Sequence, residues 1–298
     1  MNINLELYKI FYNVAKNKNI SKTANELLIS QPSISKAIKN LEEQVGCQLF
    51  IRSKYGVVLT EEGKIFYDQI KTAMEIIDNA EIKLKEIINV ESGTLNIGVS
   101  HTLTQKYLMP YIKIFHEKYP KIKLNIITGP TQTLFNKTRN GLIDFIILNL
   151  PYVIPNDFKT EILKEIQDIF VATDNFKELK NKTLKLEELN NYPLVLISKG
   201  SNTRYFLDNF TGENNVILNP EMELASYSLV DEFTKMGLGI GYLTKEFIKE
   251  ELKNNSLFEI KTTPKIPKRE IGIIYCENKI LSKSAKKFVE LLEEKKED

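Results

Sequence analysis

Gln31, Ser33, Ser35, Lys36 and Lys39 lie within one short stretch of this chain, with Pro32 among them. Amides donate and accept together, hydroxyls do either, and ammonium groups seek phosphate. The set suits base edges and backbone in a DNA major groove. Ile34, Ala37, Ile38 and Leu41 fall between them at helical spacing and would face inward. Either Ser30 or Gln31 caps this helix, and Pro32 stands in the first turn, where a missing N–H costs nothing.

The elements that must position this face are legible on both sides. Ala24, Leu27 and Leu28 recur at helical spacing just upstream, and Ile29 lies in the turn, where it can plug the angle between two helices. Leu5, Tyr8, Phe11, Tyr12 and Ala15 form a further stripe that completes a three-helix core. Downstream, Leu49 to Arg52 and Val57 to Thr60 read as two short strands around a polar turn, a wing whose Arg52 and Lys54 would hold phosphates. Charge agrees: residues 1–60 carry eight basic side chains against four acidic ones, while the whole chain is only +2. The cationic excess is gathered at one end, as phosphate binding requires.

Ala24 through Phe50, with Ser30-Gln31-Pro32-Ser33-Ile34-Ser35, Leu41-Glu42 and Gly46 to Phe50, resembles the amino-terminal domain of LysR-type transcriptional regulators. The likeness continues through Leu59-Thr60-Glu61-Glu62-Gly63, and the later elements keep the same order. It implies a winged helix-turn-helix joined by a long helix to an effector-sensing domain, in a homotetramer. The expected fold class is α+β and α/β multidomain, ending in a two-lobed α/β effector-binding domain resembling periplasmic binding proteins. The expected divisions are a DNA-binding domain at 1–60, a linker and dimerisation helix at 61–90, and an effector domain at 91–298. Lobe I would take 91–165 and 267–298, and lobe II 166–266.

The linker carries its own signal. Phe66, Ile70, Ala73, Ile77, Ala80, Leu84 and Ile87 step alternately by four and three residues, a helical seam that can pair two subunits. Thr60 is placed to cap it, with Glu61 and Glu62 beside the positive end of the dipole. About 28 residues at ~1.5 Å each make a rod on the order of 40 Å. Paired recognition helices would then want half-sites about one turn of DNA apart, or multiples of that.

From Gly93 onward short apolar strands alternate with helices, which argues for open, largely parallel sheets. Expected strands include 94–99, 124–128, 142–148, 169–173, 194–198, one near Val216, 239–243 and 270–276. Ligands of such sheets bind at the carboxyl ends of strands beside helix amino termini. That rule selects Ser100, His101 and Thr102 after the first strand, Thr131 and Gln132 after the second and Asn149 after the third. In the other lobe it selects Ser201, Asn202 and Thr203. Hydroxyls, amides and free helix N–H groups suit a small polar or anionic effector. Lys199 and Arg204 either balance ligand charge or face solvent. The resemblance implies lobe crossings near 163–168 and 263–268. The family often has Pro where Thr244 stands, so the geometry of that turn is open.

Other functions are disfavoured on chemical grounds. His101 and His116 are the only histidines, no Cys/His cluster has metal spacing, and neither thiol has a base beside it. No catalytic residue, metal or cofactor is expected. Cys47 and Cys276 lie far apart in apolar contexts and read as buried thiols. With 42% hydrophobic and 27% charged residues, and neither a membrane-spanning run nor a signal-peptide pattern, the expected location is the cytoplasm. Double-stranded DNA, a small-molecule effector and further copies of this chain are the expected partners, with RNA polymerase a further candidate. The reading is of a sequence-specific regulator that is not an enzyme. The alternative is an architectural DNA-binding protein that senses nothing.

Overall fold

The computed structural model describes residues 3–53, 56–88 and 93–294. The chain divides into two compact units, Met1–Lys85 and Glu86–Asp298.

The first unit opens with three helices, α1 (Leu5–Asn17), α2 (Ile20–Leu27) and α3 (Gln31–Val45), followed by β1 (Phe50–Ser53), β2 (Gly56–Leu59) and the long helix α4 (Glu61–Ile88). Each start is fixed by a side chain that accepts an otherwise unpaired N–H. Asn4 takes that of Glu6, Asn19 that of Lys22, Ser30 that of Ser33, and Thr60 that of Gly63. Phe11 sits fully buried at the centre, its ring 5.3 Å from Phe50 and 5.2 Å from Phe66. Tyr8, Val14, Ala24, Ile34, Ile38 and Leu41 close around it.

Two inward assignments fail. Leu28 is 91% exposed and Ile29 is also exposed. Leu28 is the left-handed cap of α2, with φ of 56°, and the reversed backbone swings both side chains out of the helical stripe. Phe66, Tyr67 and Ile70 of α4 pack on this core, whereas Ala73, Ala80 and Leu84 are exposed. Ile87 belongs to the seam, but its side chain lies outside the described residues.

The second unit holds two lobes, and its elements run β3 (Gly93–Val99), α5 (His101–Leu103), α6 (Met109–Lys118), β4 (Ile122–Ile127), α7 (Thr131–Arg139), β5 (Phe145–Leu150), β6 (Phe158–Ile166), β7 (Asp168–Ala172), β8 (Thr183–Lys185), β9 (Leu194–Ile197), α8 (Asn202–Glu213), β10 (Met222–Leu224), α9 (Tyr227–Lys235), β11 (Ile240–Thr244), α10 (Lys249–Lys253), β12 (Phe258–Thr263), β13 (Arg269–Cys276) and α11 (Lys283–Glu294). Lobe I is built on the sheet β4-β3-β5-β13-β6 and lobe II on β10-β9-β11-β7-β12-β8. β5 is buried on both faces. Phe145 and Ile147 pack under α6 and α11, while Ile146 and Leu148 pack under α7.

The sheets are mixed rather than largely parallel. β3 runs parallel to β4 and β5, but β13 runs against both β5 and β6, and β7 against both β11 and β12. The exceptions are the strands that carry the chain between lobes, which must return the way they came. One crossing passes through Gln167, between β6 and β7, and the other through residues 264–268, between β12 and β13. Gln167 ties them together, its side-chain N–H donating to the Ile266 carbonyl at 3.1 Å. No strand forms at Val216, which seats on the lobe II core from a loop. Cys276 is buried as expected, but Cys47, just past the glycine that ends α3, is exposed.

Candidate functional site

The leading edge of α3 is open. Gln31, Pro32, Ser33, Lys36 and Lys39 are exposed, and Ser35 is half-buried. Ser30 is the residue that caps this helix, and its hydroxyl lies 2.7 Å from that of Ser33. Gln31 stands as the first helical residue and accepts a hydrogen bond from the Ser21 hydroxyl at 3.3 Å. Lys39 is partly neutralised by Glu43 at 3.7 Å, whereas Lys36 makes no ion pair among the described residues.

Arg52 pairs with Val57 in the β1–β2 hairpin, and its side chain is outside the described residues, as is all of Lys54. The hairpin is anchored from three sides. Glu42 accepts the N–H groups of Leu49 and Phe50 at 2.8 and 3.1 Å, and Val57 donates to the Lys18 carbonyl at 3.3 Å. At Gly63 a Cβ would stand 2.1 Å from the Leu49 carbonyl oxygen, so α4 begins in direct backbone contact with the strand entry. Thr60 completes the junction by donating to the Gln48 carbonyl at 2.8 Å. Glu42 was not singled out from sequence as a positioning residue, although its place in the conspicuous Leu41-Glu42 pair was visible.

In lobe I, parallel β3, β4 and β5 end on one edge of their sheet, which places Ser100, His101 and Thr102 beside Thr131, Gln132 and Asn149. His101 and Gln132 are exposed, Thr102 and Thr131 half-buried. Ser100 caps α5 by accepting from Leu103 at 3.2 Å, so one of its lone pairs is already used. The first turn of α7 has no side-chain cap, and its N–H groups remain available to an acceptor. Asn149 Oδ1 is buried with no hydrogen-bond partner among the described residues, an acceptor that costs free energy unless something donates to it.

In lobe II, Ser201 caps α8 through Arg204 N–H at 3.1 Å. Asn202 and Thr203 accept from the guanidinium of Arg269, at 3.1 and 3.4 Å. Arg269 opens β13 in lobe I, so the amino end of α8 is held against the other lobe. Its counter-ion is Asp168 at 2.5 Å, both side chains fully buried, and its guanidinium carbon stands 4.9 Å from the Phe206 ring centre. Asp168 in turn accepts from Thr244 Oγ1 at 2.7 Å and from the Tyr242 hydroxyl at 3.3 Å. The Thr244 backbone N–H donates to Tyr227 Oη at 2.9 Å. That bond resolves the turn at Thr244: a proline there would have no proton to give.

A second bridge joins the lobes. Between α5 and α6 the backbone widens into a π-turn, Thr104–Leu108, a feature frequent at functional positions. From it Lys106 reaches Asp231 of α9 at 2.9 Å, and Gln105 accepts from Ser228 at 2.7 Å. Lys235 stands on the other carboxylate oxygen at 3.0 Å. Arg204, expected to balance ligand charge or face solvent, does neither. It is buried between Asp208 at 2.7 Å and Glu223 at 2.9 Å, and it donates to the Ile197 carbonyl. Neither Arg269 nor Lys106 was singled out from sequence. Arg269 stands in the charged run Lys268-Arg269-Glu270 that leads into an apolar strand, and nothing local sets it apart from its neighbours.

Among the described residues no His, Cys, Asp and Glu grouping could hold a metal ion, and no helix is long and apolar enough to cross a membrane. Comparison with known proteins gives two domain matches. Residues 5–64 match bacterial regulatory helix-turn-helix proteins of the lysR family, and residues 89–297 match the LysR substrate binding domain. The HTH-type transcriptional activator CmpR of Synechocystis is 27% identical over 294 residues, covering 98% of this chain and 95% of that protein. The HTH-type transcriptional regulator CysL of Bacillus subtilis is 25% identical over 287 residues, covering 96% of each. Among solved structures, CbnR, a LysR family transcriptional regulator, superposes with a TM-score of 0.69 at 16% identity, covering 99% of this chain and 100% of that one.

Proposed function

Since this chain belongs to the LysR family of helix-turn-helix transcriptional regulators, we propose that α3 reads DNA and that a small polar or anionic effector binds between its two lobes. The observation that carries the DNA half is the uncovered amino-terminal turn of α3. Gln31, Ser33, Ser35 and Lys36 present amide, hydroxyl and ammonium groups there, and Pro32 is the one apolar side chain exposed among them. Lys39 adds a partly neutralised cation, and Arg52 and Lys54 supply phosphate contacts from the wing.

The effector half is supported by Ser100, His101, Thr102, Thr131, Gln132 and Asn149 on one strand edge, and by Ser201 at the facing helix start. Asn202 and Thr203 act through Arg269, because their acceptors are engaged by it. Residues 1–60, 61–90 and 91–298 serve as reader, stalk and sensor. The exposed Ala73, Ala80 and Leu84 support α4 as the pairing surface of a homodimer within a homotetramer. The protein works in the cytoplasm, without enzymatic activity, and RNA polymerase is a further partner. Effector-driven lobe closure shifts the relative angle of linked subunits and so alters DNA bend and half-site choice.

Anisotropy titration of a labelled duplex from the chain's own upstream region tests the DNA reading. Affinity should fall steeply with salt, and Lys36→Ala should lower the logarithmic salt slope by about one. A wild-type protein that ignores duplex DNA at low salt overturns the reading.

A further inference from the structure

We propose that the chain carries a second small-molecule site at the junction of the lobe crossings, apart from the interlobe cleft, and that it takes a small carboxylate with an apolar body. A cavity of about 300 Å³ opens in lobe II where β7, β12 and β8 meet the second crossing. That volume sits at the small end of the ~300–1,000 Å³ typical of ligand pockets, so the occupant has about the bulk of a single ring.

Its floor is apolar and buried: Ile169, Ile260 and Ile266 are each at most 5% exposed. Its rim carries Lys261 and Lys265, exposed and without an ion pair among the described residues, together with the neutral donor Thr183, whereas Gln167 already gives its side-chain N–H groups to the Asp168 and Ile266 carbonyls. The two carboxylates in the lining are already compensated. Glu259 is paired with Lys245 at 2.7 Å and Asp168 with Arg269 at 2.5 Å. The surplus is therefore two positive charges above an apolar base, which selects an anion with a greasy end. A fully hydrated inorganic anion would gain nothing from the isoleucines.

The smaller cavity across the crossing, about 180 Å³, has the opposite balance. There Lys268 is paired with Glu165, and Glu270 adds a carboxylate without an ion pair among the described residues. Of the two, only the larger favours an anion.

Location gives this site a purpose. Gln167 belongs to the first crossing and Lys265 and Ile266 to the second, so an occupant would touch both connectors. Whatever it favours in the angle between lobes must be felt in the effector cleft, and the coupling is reciprocal.

The test uses full-length protein, with benzoate as the probe and benzamide as its uncharged isostere, followed by calorimetry. Benzoate should bind with a dissociation constant on the order of 1 mM, and benzamide about tenfold more weakly. Lys261→Ala with Lys265→Ala, both exposed and therefore safe for folding, should weaken benzoate by about tenfold or more. Thr183→Trp should fill the cavity and abolish binding. Gln132→Leu, in the cleft, should leave benzoate affinity within about twofold. The proposal is overturned if benzoate does not bind by about 10 mM. It is equally overturned if the lysine variants bind as wild type does, or if Gln132→Leu removes binding. Duplex affinity of the same variants reports separately on the regulator reading.

Discussion

Lys106 and Asp231, one residue from each lobe, are joined Nζ to carboxylate oxygen at 2.9 Å, although 125 positions separate them in the chain. The pair is largely withdrawn from water, with side-chain exposures of 20% and 5%. Breaking a buried pair by removing one partner costs about 3–5 kcal/mol when the remaining charge is stranded. Here Lys235 stays on Asp231 at 3.0 Å. Lys106→Met should therefore cost less, about 1–2 kcal/mol in urea denaturation. It should also make the lobes easier to separate, seen as a larger radius of gyration for the variant in scattering. An unchanged midpoint together with an unchanged radius would remove the clasp from this account.

The bridge between Asp168 and Arg269 has no such reserve. Asp168 and Arg269 are both fully buried, and without Arg269 the carboxylate would keep, among the described residues, only the hydroxyls of Thr244 and Tyr242. Arg269→Met should cost about 3–5 kcal/mol, and adding Asp168→Leu should restore a large part of it. Strictly additive losses in the double-mutant cycle would mean that the two residues do not act as a pair.

Gly63→Ala should weaken the reader rather than the sensor. Its new methyl would meet the Leu49 carbonyl oxygen at 2.1 Å, and relief requires α4 to move away from the hairpin entry. A cost of about 1–3 kcal/mol is expected, with loss of DNA affinity and effector binding intact. Effector binding lost in parallel would point to global unfolding instead.

Alkaline pH should expose three phenols. Burial holds Tyr107, Tyr227 and Tyr242 above their ordinary range, and the nearby Asp168 carboxylate pushes the latter two further the same way. Unfolded tyrosine ionises near pH 10, while these three stay protonated in the native state. Their contribution is therefore complete below about pH 10 and is lost as pH rises beyond it. Urea midpoints measured across that range should fall less steeply for Tyr242→Phe than for wild type. Identical slopes would exclude Tyr242 as a contributor.

Local patterns were readable where neighbours in sequence are neighbours in space. The α3 stripe of Ile34, Ile38 and Leu41, the hairpin after it and the cap at Thr60 all follow from spacing of a few residues. Leu28 and Ile29 were misplaced because one left-handed residue ends the helical period, and hydrophobicity alone does not reveal it. β6 was missed for a different reason. Its residues Lys159, Thr160, Lys164 and Glu165 are exposed, so the strand lacks the apolar run of its neighbours. Arg269, Asp168, Lys106 and Asp231 are ordinary charges until the fold brings them together. No short-range pattern could have paired them.

The two connectors between lobes arrive side by side, because β7 and β12 are adjacent in their sheet and Gln167 ties the strands' entrances together. A body held by two neighbouring straps keeps one soft rotation and loses the twisting and sliding modes. Binding free energy released anywhere in the sensor thus has a single coordinate on which to act. A molecule of a few atoms can then bias a swing of an entire lobe.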